Sequence, residues 1–156
     1  MPHRLFRHIL VPHDFSAQAT VALRAAAALA REHRGKLTVL YVLVPFYLPA
    51  DVPFGMTPPG DLVADQRASL ERLVAKALGR GAPPLTVRVA IGDAAERILE
   101  GARGADSIVM ATSGRTGLAH FLIGSVAEKV VRHATVPVLT LRVPVRKQSA
   151  KGRKRK

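Results

Sequence analysis

The sequence predicts a doubly wound α/β fold, in which helices cover both faces of a five-stranded parallel sheet. Five short apolar runs alternate with four helical patterns along the chain, which is typical of successive β-α-β units. Two of these runs, Ile9–Val11 and Lys36–Val44, are apolar at nearly every position after their first residues, which indicates strands buried on both faces. Right-handed crossovers then restrict the topology, and both flavodoxin-like and Rossmann-like strand orders place a switch point beside the first strand.

Length and composition narrow the class of protein. The chain has 156 residues, of which 48% are hydrophobic, and this suffices for one globular domain with a buried core. Because cysteine is absent, the protein has no disulfides, no thiolate metal site and no thiol catalysis. No apolar run reaches transmembrane length and no signal-peptide pattern precedes the first strand, so we expect a cytoplasmic protein without a membrane partner.

The first half of the chain is predicted to contain two strands and two helices. Pro12 ends the first strand because proline cannot donate to the sheet, and Ser16 is the expected N-cap of the next helix. That helix is rich in alanine, which allows close approach to a sheet, and Gly35 follows its end. The predicted strands are Leu5–Pro12 and Lys36–Val44, and the predicted helices are Ala17–His33 and Asp61–Arg80.

A proline-rich segment, Pro45–Gly60, separates the second strand from the second helix. Its prolines exclude both a helix and a central strand. It also carries Phe46, Tyr47 and Phe54, which could pack an ordinary connecting loop onto the domain. Long loops in compact domains are often functional, so a flap beside a ligand cleft or a partner surface is the alternative.

The second half of the chain is predicted to add three strands and two helices. An alternating run typical of a strand near a sheet edge is followed by a helix capped by Asp93 and by a buried strand. A glycine-bearing loop then leads into a helix and a last strand. The predicted bounds are Leu85–Ile91, Asp93–Arg103, Ser107–Ala111, a loop at Thr112–Ile123, a helix from Gly124-Ser125 to His133, and a strand at Pro137–Arg142.

The loop and helix after the fourth strand form a candidate anion site. Gly114 and Gly117 can adopt positive φ and let a ligand approach backbone N–H groups closely. The free N–H groups and the dipole of the next helix add positive potential at the same place. Gly124 keeps the helix entrance open. Ser125 offers a hydroxyl to an anion, but with Glu128 it also matches the S-x-x-E capping box, and the two roles are compatible.

Asp14 is the best-placed carboxylate, just past the carboxyl end of the first strand. Its side chain could hold a ribose hydroxyl or the amino group of a base. From the chain alone, a turn or cap role before Ser16 is favoured over a ligand contact. No paired acid and base stand out elsewhere, so no catalytic residues are predicted.

Other signatures of nucleotide and metal chemistry do not occur in the sequence. It has no G-x-x-x-x-G-K-[ST] P-loop, and no G-x-G-x-x-G follows the first strand. Ser113 lacks the G-x-S-x-G elbow of hydrolases. The histidines show no metal-binding spacing, and we interpret each as a surface or packing residue. They are His3, His8, His13, His33, His120 and His133.

From Arg4 to Val143 the sequence resembles the universal stress proteins. The resemblance is carried by ILVPHDFS at Ile9–Ser16, by GRTGL at Gly114–Leu118 and by IGSVAEKV at Ile123–Val130. Both ends of the chain therefore match at the separation that the family shows.

One position departs from the motif of the ATP-binding members of that family. Their motif is a glycine, two residues, a glycine, nine residues, and then glycine with Ser or Thr. Gly114, the nine residues after it and Gly124-Ser125 fit this motif, but Ala111 stands in place of the first glycine.

The resemblance implies strand order 3-2-1-4-5 and an ATP site where the first, second and fourth strands end. Asp14 would contact the nucleoside, and Val42 would line the adenine pocket, although a plain core role for Val42 is equally compatible. Mg²⁺ or Mn²⁺ would be held through the phosphates, and hydrolysis would be slow or absent. The residues implied for ATP are Pro12, Asp14, Val42, Met110, Ala111, Gly114, Gly124, Ser125 and Val126.

The family also pairs its last strand with a symmetry mate, which implies a homodimer. An apolar edge strand is a pairing liability unless it is covered, and antiparallel pairing across a two-fold axis covers it. The residues expected at this interface or in the nearby core are Val138, Leu139, Leu141 and Val143.

Positive charge is concentrated at the end of the chain. The net charge is +13, and seven cations without an acid lie within Arg146–Lys156. We predict a stress protein domain over residues 1–145 and a basic disordered tail over residues 146–156. The tail is either a solvated appendage or a nucleic-acid contact that acts by counterion release.

Three functions remain open at this point. The first is an ATP-binding regulatory protein, at most a slow ATPase. The second is an interaction module of the same fold that binds no nucleotide, which Ala111 favours. The third is nucleic-acid association through the tail. We adopt the first, because Asp14, Gly114, Gly124 and Ser125 are all present.

Overall fold

A computed structural model describes residues 5–45, 59–112 and 123–143. The strands are β1 His8–Pro12, β2 Lys36–Leu43, β3 Leu85–Ile91, β4 Ser107–Ala111 and β5 Val138–Leu141. The helices are α1 Ala17–Glu32, α2 Pro59–Leu78, α3 Ala94–Gly101 and α4 Ser125–His133, with a 3-10 turn at Ala102–Gly104. The strands are parallel and lie in the order β3-β2-β1-β4-β5, which confirms the predicted fold and order.

The start of β1 differs from the prediction, because the strand begins at His8 rather than Leu5. The carboxylate of Asp106 accepts hydrogen bonds from the backbone N–H groups of residues 6, 7 and 8 at 2.9, 2.9 and 2.7 Å. Phe6 has a φ of 65°, so the chain turns there before it enters the sheet. The other predicted ends either coincide with the observed ones, as for β3 and β4, or differ by one or two residues, as is usual where elements fray.

Two buried clusters hold the helices against the sheet, one on each face. Alternate residues of β1 belong to different clusters. Ile9 and Val11 pack with α1 and α2, and Leu10 packs with α3 and α4. The alanines of α1 let it approach closely, and Ala22, Ala26, Ala27 and Ala30 are fully buried. The carboxyl ends of β1, β2 and β4 consequently lie side by side between the two helix layers.

Several predictions concern residues outside the described ranges. These are the role of the proline-rich segment within residues 46–58, the contact of Gly114 and the disorder of the tail, and they stay predictions. Within the described ranges, no helix has both the length and the apolar character needed to cross a membrane.

Candidate functional site

A cavity of about 250 Å³ lies at the carboxyl edge of the sheet, where β1, β2 and β4 end beside α3 and α4. A ligand at this place would meet the switch point of a doubly wound sheet. Eight of the nine residues predicted for ATP line the cavity, and Gly114 lies outside the described residues. The eight are Pro12, Asp14, Val42, Met110, Ala111, Gly124, Ser125 and Val126.

The turn between β1 and α1 fixes the carboxylate of the cavity. Asp14 Oδ1 accepts a hydrogen bond from the Ser16 backbone N–H at 3.0 Å. Ser16 Oγ in turn accepts from the Ala19 N–H at 3.1 Å, which confirms Ser16 as the N-cap of α1. Asp14 therefore has the turn role and also lines the cavity, so its two interpretations are compatible.

His13 belongs to the same turn and also lines the cavity. It is only 3% exposed, so of the two roles expected for the histidines it has the packing one. Its Nδ1 accepts from the Phe15 backbone N–H at 3.0 Å, and its Nε2 lies 3.2 Å from Thr20 Oγ1. Burial lowers the His13 pKa below its ordinary value, and the nearby Asp14 carboxylate opposes this shift.

Apolar side chains form the part of the cavity between β2, β4 and α3. Leu40, Met110 and Ile98 are buried there, and Val42 is half-buried beside them. Tyr41 also lines the cavity, and its ring meets Phe15 edge-on at 4.9 Å. A flat apolar group could bury its faces in such a slot and keep a polar edge toward Asp14.

The start of α4 differs from the predicted capping box. Gly124 is the N-cap residue, and Glu128 N–H donates to the Gly124 carbonyl at 2.9 Å. Ser125 is thus the first helical residue, and its side chain is exposed. The Glu128 carboxylate pairs with Arg132 at 2.7 Å instead of returning to the helix start. The S-x-x-E prediction is therefore wrong, because the helix begins one residue earlier than a capping box requires.

No side chain caps α4 within the described ranges, unlike α1 and α3, the two other α-helices whose N-cap residues are described. Ser16 caps α1, and Asp93 caps α3 by accepting from the Glu96 N–H at 3.0 Å. The first turn of α4 lines the cavity with Ser125, Val126 and Ala127. Backbone N–H groups of an uncapped first turn are suited to an anion.

Two small residues, Gly124 and Ala111, line the cavity beside the start of α4. Gly124 has an ordinary negative φ, so its backbone does not require glycine. A Cβ built on it would lie 3.1 Å from the Thr112 carbonyl oxygen, so glycine is needed because these two backbone segments lie close together. Ala111 ends β4 in register with Leu141, and it is not among the described non-glycine residues with positive φ. Alanine in place of the family glycine therefore strains no backbone and adds only a methyl group to the cavity.

Some residues that line the cavity were not predicted, because the sequence around them carries only a weak indication of a binding site. Besides His13, they include Leu40, Tyr41, Ile98 and Thr112. Leu40 and Ile98 look like ordinary core residues in the sequence, because their position at the edge of the cavity depends on how α3 docks. His13 had one signal, its place directly after the proline that ends a central strand.

Comparison with known proteins agrees with this architecture. The family model described as "Universal stress protein family" matches residues 5–142. A universal stress protein of Thermus aquaticus is 37% identical over 143 residues, which cover 88% of this chain and 100% of that protein. One of Methanocaldococcus jannaschii is 32% identical over 145 residues, which cover 90% of this chain and 84% of the relative.

Solved structures share the fold. A universal stress protein in complex with cAMP has a TM-score of 0.63 at 21% identity, covering 88% of this chain and 98% of that one. A universal stress protein of Archaeoglobus fulgidus in complex with dAMP has a TM-score of 0.59 at 24% identity, covering 85% and 94%. With the family model matched from residue 5 to residue 142, the chain belongs to the universal stress protein family.

Proposed function

We propose that this protein is an ATP-binding universal stress protein that acts as a regulatory nucleotide sensor, with slow or absent hydrolysis. One observation carries the proposal: the cavity at the carboxyl edge brings together Asp14, the apolar slot at Val42 and the uncapped start of α4. These are the three kinds of contact that a nucleotide needs, for its sugar, its base and its phosphates. Two proteins of the same fold are complexes with cAMP and dAMP, which supports a nucleotide as the class of ligand.

The base and the sugar are assigned to the β1 and β2 side of the cavity. Val42, Leu40 and Met110 offer apolar surface to the adenine ring. Asp14 keeps one carboxylate oxygen on the Ser16 N–H, and this bond orients the carboxylate for a ribose hydroxyl. Pro12 cannot donate from its nitrogen and so adds a nonpolar wall beside Asp14.

The phosphates are assigned to the α4 side. The N–H groups of Ser125 and Val126, the Ser125 hydroxyl and the helix dipole would meet them, with Gly114 from the preceding loop. Among the described residues, no three His, Asp or Glu side chains lie together as metal ligands. Mg²⁺ or Mn²⁺ would therefore take its ligands mainly from the phosphates and water.

Because Ala111 replaces the first glycine of the ATP-binding motif, one alternative function remains, an interaction module that binds no nucleotide. Its methyl group lines the cavity beside Met110, where the family motif has only a hydrogen. Since the backbone there is unstrained, ATP should still bind, and Ala111→Gly should bind it as well or slightly more tightly.

Calorimetry with ATP and Mg²⁺ on wild type and Ala111→Gly tests the proposal. Heat of binding from the wild type is the expected result. If neither protein binds ATP, the nucleotide proposal fails and the interaction-module alternative replaces it. Both proteins keep the basic tail, so a nonspecific attraction of ATP to the tail is the same in each.

A homodimer through β5 is part of the proposal. β5 is an edge strand of the described sheet. Leu139 is in register with Val109, so it lies on the same face of the sheet as α1, and it is 41% exposed there. Leu141 packs partly against the buried cluster on that face, so a charge there would disturb folding as well as pairing. Leu139→Glu is therefore the better test. Sedimentation should show a dimer for wild type and a monomer for this variant, and a wild-type monomer at micromolar concentration would contradict the proposal.

A further inference from the structure

We propose that His13 is a positioning residue for Asp14. While the His13 ring is neutral, it keeps the Asp14 carboxylate in the place where a nucleotide would contact it. Nucleotide affinity should accordingly fall as the pH falls through the His13 titration. The inference about affinity rests on the proposed function. The inference about the turn does not, because it concerns contacts within the free protein.

The hydrogen bonds of His13 select one tautomer. Nδ1 accepts from the Phe15 backbone N–H at 3.0 Å, so this nitrogen carries no proton. In a neutral ring the proton is then on Nε2, which donates to Thr20 Oγ1 at 3.2 Å. The Thr20 hydroxyl donates in turn to the Ser16 carbonyl at 3.0 Å, so it is free to accept from Nε2.

The bond at Nδ1 holds a strained turn. Phe15 has a φ of 65°, in the left-handed region that bulky residues rarely adopt. Such a conformation persists only where surrounding contacts fix it. Two bonds do so here, Phe15 N–H to the His13 ring and Ser16 N–H to the Asp14 carboxylate, so Asp14 lies between the two fixed points.

The surroundings of the ring disfavour its charged form. Thr20 faces it from α1, the Phe15 ring meets it edge-on at 6.1 Å, and β2 contributes Tyr41, which contacts Phe15. Within the described residues, Asp14 is the charged group whose field acts on His13. Its carboxylate raises the His13 pKa, but the loss of solvation on burial lowers it more.

Protonation would take away the acceptor that the turn needs. A protonated ring carries N–H groups on both nitrogens, so Nδ1 could no longer accept from Phe15 and two N–H groups would face each other. The turn would have to move, and the charged ring would attract the Asp14 carboxylate toward itself. Both changes displace Asp14 from its place in the cavity. Since a nucleotide would then bind the neutral form better, its binding should also lower the His13 pKa by linkage.

His13→Asn is the matched variant, because an asparagine oxygen can accept from Phe15 near the place of Nδ1 and does not titrate. As the pH falls through the His13 titration, which NMR of the ring locates, ATP affinity of wild type should fall more than that of His13→Asn, by up to about tenfold per pH unit, the limit for one linked proton. ATP itself takes up a proton near pH 6, but this effect is common to both proteins. His8→Asn is the control, since His8 also contacts a threonine hydroxyl, Thr38, but lies at the opposite end of β1.

The outcomes separate the two proposals. Equal pH profiles for wild type and His13→Asn would overturn the role of His13 and leave ATP binding standing. Absence of ATP binding at every pH would overturn the proposed function, and the turn is then judged by NMR of the free protein. There the backbone amide signals of Asp14 and Phe15 should titrate together with the His13 ring, with the proton on Nε2 above the transition. Amide signals that do not follow the ring would overturn the inference.

Discussion

The two turns that border the cavity are built in opposite ways. The β1–α1 turn satisfies its own polar groups, with Ser16 capping α1, Asp14 on the Ser16 N–H and His13 on the Phe15 N–H. At the β4–α4 junction, α4 begins at Gly124 without a side-chain cap, and the described contact there is Gly124 N–H to the Thr112 carbonyl at 2.7 Å. The first turn therefore has its donors paired within the protein, whereas the start of α4 has no side-chain cap among the described residues, which suits it to the proposed ligand. Substitutions at the first should affect stability and affinity, and those at the second mainly affinity.

The largest expected effect is at the uncapped junction, with Gly124→Val. The Cβ of valine would lie 3.1 Å from the Thr112 carbonyl oxygen, and its methyl groups would enter the helix start where phosphates are proposed to bind. We expect ATP affinity to fall at least about a hundredfold, or ~2.7 kcal/mol, in calorimetry. Gly104→Val is the control, because a Cβ at Gly104 meets nothing within 4 Å. Equal losses in both variants would contradict the comparison.

Asp14→Asn should have the next largest effect on affinity. The asparagine oxygen can still accept from the Ser16 N–H, so the turn should keep its shape and the unfolding midpoint should change little. The loss of a charged acceptor for the ribose should weaken ATP binding by about 2 kcal/mol, as is typical of hydrogen bonds to charged groups. Measured ATP affinity equal to that of wild type would remove Asp14 from the site.

A pair of serine variants separates the two turns by stability. Ser16→Ala removes the cap of α1 and should lower the free energy of unfolding by about 1 kcal/mol in urea denaturation. Ser125→Ala should leave the free energy of unfolding within about 0.5 kcal/mol of wild type, because Ser125 is exposed and caps nothing among the described residues. It should instead weaken ATP binding severalfold. The reverse pattern would mean that α4 has a cap that its described start does not show.

At neutral pH the smallest effect comes from the His13 side chain, because its influence on stability appears only as the pH falls. His13 has an ordinary pKa of about 6.5 in the unfolded chain, and burial lowers this pKa in the folded protein. Below about pH 6.5 the unfolded chain thus binds a proton that the folded protein does not, and stability falls until the pH passes the folded pKa. The slope is at most ~1.4 kcal/mol per pH unit. His13→Asn should lose this slope in denaturation curves, whereas His8→Asn should keep it.

The sequence was informative where a motif constrains the backbone. Continuous apolar runs predicted the parallel sheet, and the glycine motif with ILVPHDFS led to the strand order and to half of the residues that line the cavity. It was misleading at Ser125, because the S-x-x-E pattern does not reveal that α4 begins at Gly124. His13 could not be assigned to the cavity from sequence, since its burial depends on α1 packing beside β1, and a single histidine carries no spacing signal.

The most direct measurement of the central claim is an amide NMR titration of the whole protein with ATP and Mg²⁺. With a net charge of +13, the chain can attract ATP nonspecifically, so the location of binding matters more than its heat. The proposed site predicts that the largest shifts fall on residues of the cavity, at Asp14, Val42 and Ala111 and in the first turn of α4. Shifts confined to residues 146–156, or no shifts at all, would contradict it.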